Sequence, residues 1–224
     1  MSRIAVIPAR GGSTRLKDKN IYPIKGKPLI SYTIETVIDS GQFDTIIVST
    51  DSNKIKEVVK QYNVDIYDRP AEYATERITV LNAILAMMQD VERHDIFSYF
   101  LPTCPFRNTD DIKDGLEMLE SCDSVISVSE YTEPIQLAMI KRGDLVIPIF
   151  DNLTAGLTNS KFIQKYHKPN GSFYMSHWDH LVEHRNFFTG TVCSVEIPKF
   201  RYIDIDTIDD IRIAEAMIND ELLF

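Results

Sequence analysis

Cysteine is scarce in this chain of 224 residues: Cys104, Cys122 and Cys193 are the whole supply. They are odd in number, widely spaced and lack paired metal-ligand spacing. That argues against structural zinc and leads us to expect reduced thiols and a cytoplasmic setting. Long apolar runs are missing too. No stretch approaches the roughly 18 residues of a membrane span. The opening run ends at Pro8 and Arg10, too short for a signal peptide. Positive charge is in the minority, with 24 Lys and Arg against 33 Asp and Glu and a net charge of −9. Broad binding to nucleic acid or to membrane surfaces is therefore not expected.

The few cations are unevenly placed. Seven of the 24 lie within residues 1–27, where Asp18 is the only acid. The other 197 residues hold 17 basic and 32 acidic side chains. In the basic segment a short apolar strand, RIAVIP, runs into Ala9-Arg10-Gly11-Gly12-Ser13-Thr14-Arg15-Leu16-Lys17-Asp18-Lys19-Asn20. An acidic chain that gathers positive charge on one glycine-bearing loop after a strand is built to hold an anion. Backbone N–H groups and fixed cations attract phosphate, and close approach is easiest where Cβ atoms are missing. The loop is neither a Walker P-loop nor a G-x-G-x-x-G turn. The anion we expect is a nucleoside triphosphate.

With 44% hydrophobic and 25% charged residues the composition is that of a globular protein, and 224 residues suffice for a single domain, 1–224, with one core. Strand-like and helix-like segments alternate over the first two-thirds. Strands are expected at 3–8, 45–49, 64–67, 96–101 and 124–128, and helices at 28–40, 53–62, 80–90 and 109–121. This rhythm predicts an α/β fold: a mainly parallel sheet, helices on both faces, and ligands at the carboxyl ends of strands. It breaks after about residue 130. Residues 131–170 hold two short β-like pieces, 137–141 and 145–149, and read as an inserted lid or subunit contact. The core pattern returns at 171–175 and 193–197, and a helix over 207–219 closes the chain.

Two carboxylates, Asp204 and Asp206, alternate in Ile203-Asp-Ile-Asp-Thr207. At strand spacing they face one side, where a hard divalent cation would relieve their repulsion. Thr207, Asp209 and Asp210 suit the cap and first turn of the final helix. Helix capping or an exposed edge is the rival reading of the pair.

IPARGGSTRLKDKN, followed by GKPLI at 26–30, closely resembles the opening of the acylneuraminate cytidylyltransferases, which make CMP-activated sialic acids and related nine-carbon sugar acids. The resemblance runs in order through IIVSTDS (46–52), DRPAEYA (68–74), LPTCPFR (101–107), NGSFYM (170–175), NFFTG (186–190) and IDIDTIDD (203–210). It implies a Rossmann-like fold, CMP transfer from CTP with Mg²⁺, and a homodimer. By the same resemblance Ala9, Arg10, Gly11, Gly12, Ser13, Arg15, Lys19 and Asn20 hold the nucleotide. Arg69 serves its cytidine side. Asp206 is the primary metal ligand, with Asp204 its partner or the group that takes the acceptor's proton. Arg10, Lys19, Asp204 and Asp206 form the expected catalytic set.

Tyr174, Phe187 and Phe188 match the family's wall for the acyl-amino sugar, although core packing is the plainer reading of an aromatic pair. His167 could meet the sugar carboxylate or sit solvated in a loop. On the sugar side the pattern departs from the sialate enzymes: Leu101 replaces a glutamine, Gln136 falls where a lysine is common, and Ser160 replaces an arginine. Some features resemble pseudaminate enzymes and others legionaminate enzymes. An enzyme for the eight-carbon acid Kdo and a non-catalytic nucleotide-binding regulator are the further readings.

Overall fold

The computed structural model describes residues 1–219; the last five residues of the expected 1–224 domain lie outside the described residues. In chain order the strands are β1 (Arg3–Pro8), β2 (Pro23–Ile24), β3 (Lys27–Pro28), β4 (Thr45–Thr50), β5 (Asp65–Asp68), β6 (Ile96–Phe100), β7 (Ser124–Glu130), β8 (Met139–Arg142), β9 (Leu145–Pro148), β10 (His167–His177) and β11 (Val192–Glu196). The helices are α1 (Leu29–Ser40), α2 (Asn53–Val59), α3 (Val80–Met87), α4 (Thr109–Met118), α5 (Trp178–His184) and α6 (Ile208–Asn219). Seven strands make one sheet in the order β11-β7-β10-β6-β1-β4-β5.

Every neighbouring pair in that sheet is parallel except those made by β10, which runs antiparallel to both β6 and β7. From β1 the chain moves outward to β4 and β5, then returns to place β6 on the other flank of β1. That reversal is a topological switch point, and in open α/β sheets the crevice at such a point is where ligands bind.

The apolar run of β1 explains why this strand sits centrally. Ala5 and Ile7 join a core beneath α1, α2 and α4, whereas Ile4 and Val6 join a second core beneath α3 and α5. Both faces of the strand are thus buried, as a continuous apolar sequence requires. Each such Ile contributes on the order of 1.5–3 kcal/mol by leaving water. A third cluster joins Leu16, Ile24, Leu29 and Phe106 to Ile203, Ile205, Ile211 and Ala214 of the C-terminal segment. This packing seats the chain's end against its basic loop.

The sequence expectations hold for the sheet and for the four early helices, with ends shifted by a few residues. Three features differ. Helix α5 was not anticipated, and β10 is longer than the 171–175 segment, beginning at His167. Residues 203–206 belong to no strand and pair in no ladder; the Ile205 amide instead donates to the Thr103 carbonyl at 2.8 Å. Their alternation survives because Ile203 and Ile205 are buried while the two aspartates between and after them face the other way.

The third difference is at the cysteines. Cys122 and Cys193, 71 residues apart, are joined as a disulfide with Cα atoms 6.1 Å apart, and Cys104 alone is free. This departs from the expectation of reduced thiols. The parallel pairing of β11 on β7 brings the two together, which linear spacing could not disclose.

Candidate active site

The basic loop after β1 is tied down by hydrogen bonds from outside itself. The Ala9 amide donates to the Ser49 carbonyl at 2.9 Å, and the Gly11 amide donates to Asp51 Oδ1 at 2.8 Å. Asn20, itself buried, donates from Nδ2 to the Arg10 carbonyl at 3.0 Å. A Cβ at Gly11 would stand 2.8 Å from Ser52 Cβ, so the loop approaches the start of α2 closely enough to require glycine there. Gly12 has open space and carries no such requirement.

Beside this loop lies a cleft of about 410 Å³ at the carboxyl ends of β1, β5 and β6. Of the nucleotide-binding candidates, Arg10, Arg15, Lys19, Asn20 and Arg69 line it, together with Leu101, Asp204 and Asp206. Ala9 is wholly buried, and Gly11, Gly12 and Ser13 are not among the lining residues. The sequence reading did not single out Thr103, Tyr73, Glu76 or Thr79, which also line the cleft. Thr79 had a local signal, since its hydroxyl accepts from the Asn82 amide as the N-cap of α3.

Of the four cations that line the cleft, Arg69 is buried, Arg15 and Lys19 are ion-paired, and Arg10 is half-buried. Arg69 is not a surface arginine: it is buried, with Nε donating to Ser49 Oγ at 3.2 Å and Nη2 to the Ser49 carbonyl at 3.0 Å. Burial lowers its pKa, and the neighbouring charge of Asp51 works against that lowering. Lys19 Nζ lies 2.8 Å from Asp206 Oδ1, and Arg15 Nη1 lies 2.7 Å from Asp206 Oδ2. The first and last parts of the chain therefore meet through a carboxylate bracketed by two cations.

Asp204 has no ion-pair partner among the described residues. Its side chain is open to solvent, yet desolvation by the surrounding wall raises its pKa; the Thr103 hydroxyl opposes that rise and the charge of Asp206 adds to it. Asp210 braces the same turn, its Oδ2 accepting from the Asp206 amide at 3.0 Å and from the Thr207 amide and hydroxyl at 2.8 Å each. Two oxygen-donor carboxylates on one wall, Asp204 with its pKa raised, fit a hard divalent cation. Outside the cleft, Glu130, His167 and Glu196 bring ligand atoms within 4.8 Å of one another, with Lys165 and Lys199 facing Glu130.

The aromatic candidates divide. Tyr174 stacks on Tyr99 with ring centroids 4.7 Å apart. Burial first, then the Cys104 and Asp204 side chains, raise the Tyr174 pKa. Phe187 is 3% exposed and packs against Tyr99 and Tyr174, so it supports the wall from behind rather than facing a ligand. Phe188 is 54% exposed and edge-on to Tyr174. Gln136 lies in the excursion, not in the cleft; its Nε2 donates to the Gln164 carbonyl, and its buried Oε1 has no partner. His167 sits on β10 with Nε2 3.2 Å from Glu196 Oε2.

A family model described as Cytidylyltransferase matches residues 4–155. The N-acylneuraminate cytidylyltransferase of Escherichia coli is 31% identical over 94% of this chain, and the chain spans about half (51%) of that relative's length. The pseudaminic acid cytidylyltransferase of Campylobacter jejuni is 30% identical and the CMP-N,N'-diacetyllegionaminic acid synthase of Legionella pneumophila 32% identical, each over the full length of both chains. A solved CMP:2-keto-3-deoxy-manno-octonic acid synthetase complexed with CTP superposes with a TM-score of 0.72 over 99% of this chain and 100% of its own; at 17% identity it shows the shared fold alone. The chain belongs to the cytidylyltransferase family.

Proposed function

We propose that this protein transfers CMP from CTP to a nonulosonic acid, with release of pyrophosphate. The observation that carries the reading is the meeting of Lys19 with Asp206 on the wall of a cleft that Arg10, Arg15 and Arg69 also line. Nucleotidyl transfer asks a protein for position and charge stabilisation rather than for a nucleophile of its own. In this reading Arg69 holds the cytidine side, and Arg10, Lys19 and the loop amides hold the triphosphate. The anomeric hydroxyl attacks the α-phosphorus in line, the new P–O bond forms as the pyrophosphate oxygen departs, and the hydroxyl proton passes to Asp204. Its raised pKa suits it to accept that proton. Asp206 would hold Mg²⁺ as its primary ligand, with Asp204 either its second ligand or the acceptor of that proton, and the bound ion would offset the charge of the phosphates.

The cleft presents Leu101, Pro102 and Thr103 in place of a fully polar surface, and Tyr174, outside its lining, feels the charge of Asp204 on its wall. This suits an N-acylated nine-carbon acid better than the eight-carbon Kdo. Pseudaminic and legionaminic acids stand beside N-acetylneuraminate as acceptors. The excursion carries an exposed apolar ribbon, with Leu145 at 70% and Phe162 at 87% exposure. It supports a homodimer joined through residues 131–170, and the proposal includes a cytoplasmic enzyme supplied with CTP.

The test is CMP transfer to sialic, legionaminic and pseudaminic acids side by side, read as pyrophosphate release with CTP and Mg²⁺. Turnover of one acid is expected to dominate. Calorimetric CTP binding without turnover of any acceptor would instead support the non-catalytic regulator.

A further inference from the structure

Arg107 ends the LPTCPFR stretch and is almost wholly enclosed, at 4% exposure. Its guanidinium has no carboxylate within ion-pairing distance among the described residues; the nearby Asp111 is taken by Arg201 in a two-pronged pair at 2.6 and 2.9 Å. Instead Nε donates to Ser172 Oγ at 3.0 Å, Nη1 to Thr33 Oγ1 at 2.7 Å, and Nη2 to the Leu101 carbonyl at 2.5 Å. Burial without a counter-ion pulls its pKa down to about 10.

Burying a cation against neutral acceptors is expensive, and an apolar side chain would fill the space without that cost. What only arginine supplies is a rigid planar fork that donates in three directions at once. The three acceptors belong to α1, to the segment just past β6, and to β10, the strand paired with β6, so the fork ties a helix to two neighbouring strands. Just beyond Leu101, Thr103 lines the cleft, and its carbonyl accepts the Ile205 amide between the two aspartates. A second tie holds the same turn, from Cys104 Sγ to the Asn170 carbonyl at 3.1 Å.

We infer that Arg107 is a positioning residue for the acidic arm: it holds the 101–107 turn so that Thr103 sets Asp204 and Asp206 opposite Lys19. The inference rests on the reading that those aspartates hold the metal.

The test uses Arg107→Met and Arg107→Lys, with Ser172→Ala and Thr33→Val each removing one prong. CTP binding without metal is followed by calorimetry, Mn²⁺ binding to the CTP complex by electron paramagnetic resonance, and turnover by pyrophosphate release. Arg107→Met is expected to keep metal-free CTP affinity within about twofold while weakening Mn²⁺ binding about tenfold and lowering kcat similarly. Lysine should not rescue it, and each single-prong variant should weaken Mn²⁺ binding about two- to threefold. Unchanged Mn²⁺ affinity in Arg107→Met, or an equal loss of metal-free CTP binding, overturns the inference. Should Arg107→Met fail to fold, unchanged Mn²⁺ affinity in both single-prong variants overturns it. Because the Mn²⁺ readout needs no acceptor, it stands apart from failure of every acceptor in the transfer assay.

Discussion

Lys19 Nζ and Asp206 Oδ1 lie 2.8 Å apart although 187 residues separate them in sequence. Arg15 closes on the other oxygen of the same carboxylate. The pair is partly open to water, so its worth to folding is modest. Its meaning is positional: the cation expected to face the α-phosphate and the carboxylate expected to hold the metal share one point of the cleft.

Removing either group should therefore cost catalysis far more than stability. Lys19→Ala and Asp206→Ala are each expected to lower kcat about 10²- to 10³-fold, about 2.7–4 kcal/mol by analogy with losing an oxyanion donor. Pyrophosphate release measures this. Near-wild-type turnover in both would end the proposed mechanism.

Asp204 gives a prediction of opposite sign for stability. Its folded-state pKa is raised by desolvation from the surrounding wall and by Asp206, so its ionised form disfavours the native state at neutral pH. The native state holds that proton more tightly than the unfolded chain, so the favourable contribution is complete below the unfolded pKa and is lost as pH rises through the folded one. Asp204 is exposed to solvent, which screens the effect, so Asp204→Asn should raise the metal-free Tm at pH 7 only slightly. The gain should shrink at acidic pH, and turnover should fall. Melting curves at pH 7 and pH 4 test it; a lower Tm at pH 7 would contradict the desolvation argument.

The two loop glycines should behave differently. Gly11→Ala drives a Cβ to within 2.8 Å of Ser52 Cβ, whereas Gly12→Ala meets open space. Overpacking of about 1–3 kcal/mol should weaken CTP binding roughly ten- to hundredfold in the first variant, with little change in the second. Adding Ser52→Gly to Gly11→Ala removes the opposing atom and should restore much of the affinity by calorimetry.

The apolar ribbon of β8 and β9 makes a separate claim. Leu145, Val146 and Ile147 are all exposed, more than single scattered apolar residues would account for. Leu145→Asp is expected to weaken self-association by about 2 kcal/mol, roughly thirtyfold in Kd, in sedimentation at micromolar concentration. A wild-type chain that sediments as a monomer there would count against the dimer.

Much of this protein was written in local pattern. The β-α rhythm, the charge gathered at residues 10–19 and the alternation of Ile203 to Asp206 are visible in sequence because each depends on neighbours a few positions apart. That alternation needed no ladder, since burying Ile203 and Ile205 turned both aspartates outward. The aromatic pair was less legible. Phe187 and Phe188 are adjacent and chemically identical, yet packing against Tyr99 and Tyr174 buries one and leaves the other in solvent.

By itself the sequence determined which residues could make a strand, a helix or an anion-holding loop, because periodicity, glycine and charge act over short range. Tertiary structure alone decided that β10 reverses direction, that Cys122 meets Cys193, that Arg69 and Arg107 are buried cations, and that Lys19 meets Asp206. Each is a contact between segments dozens to nearly two hundred residues apart. Such contacts are set by how the two cores close around the sheet, which no window along the chain contains.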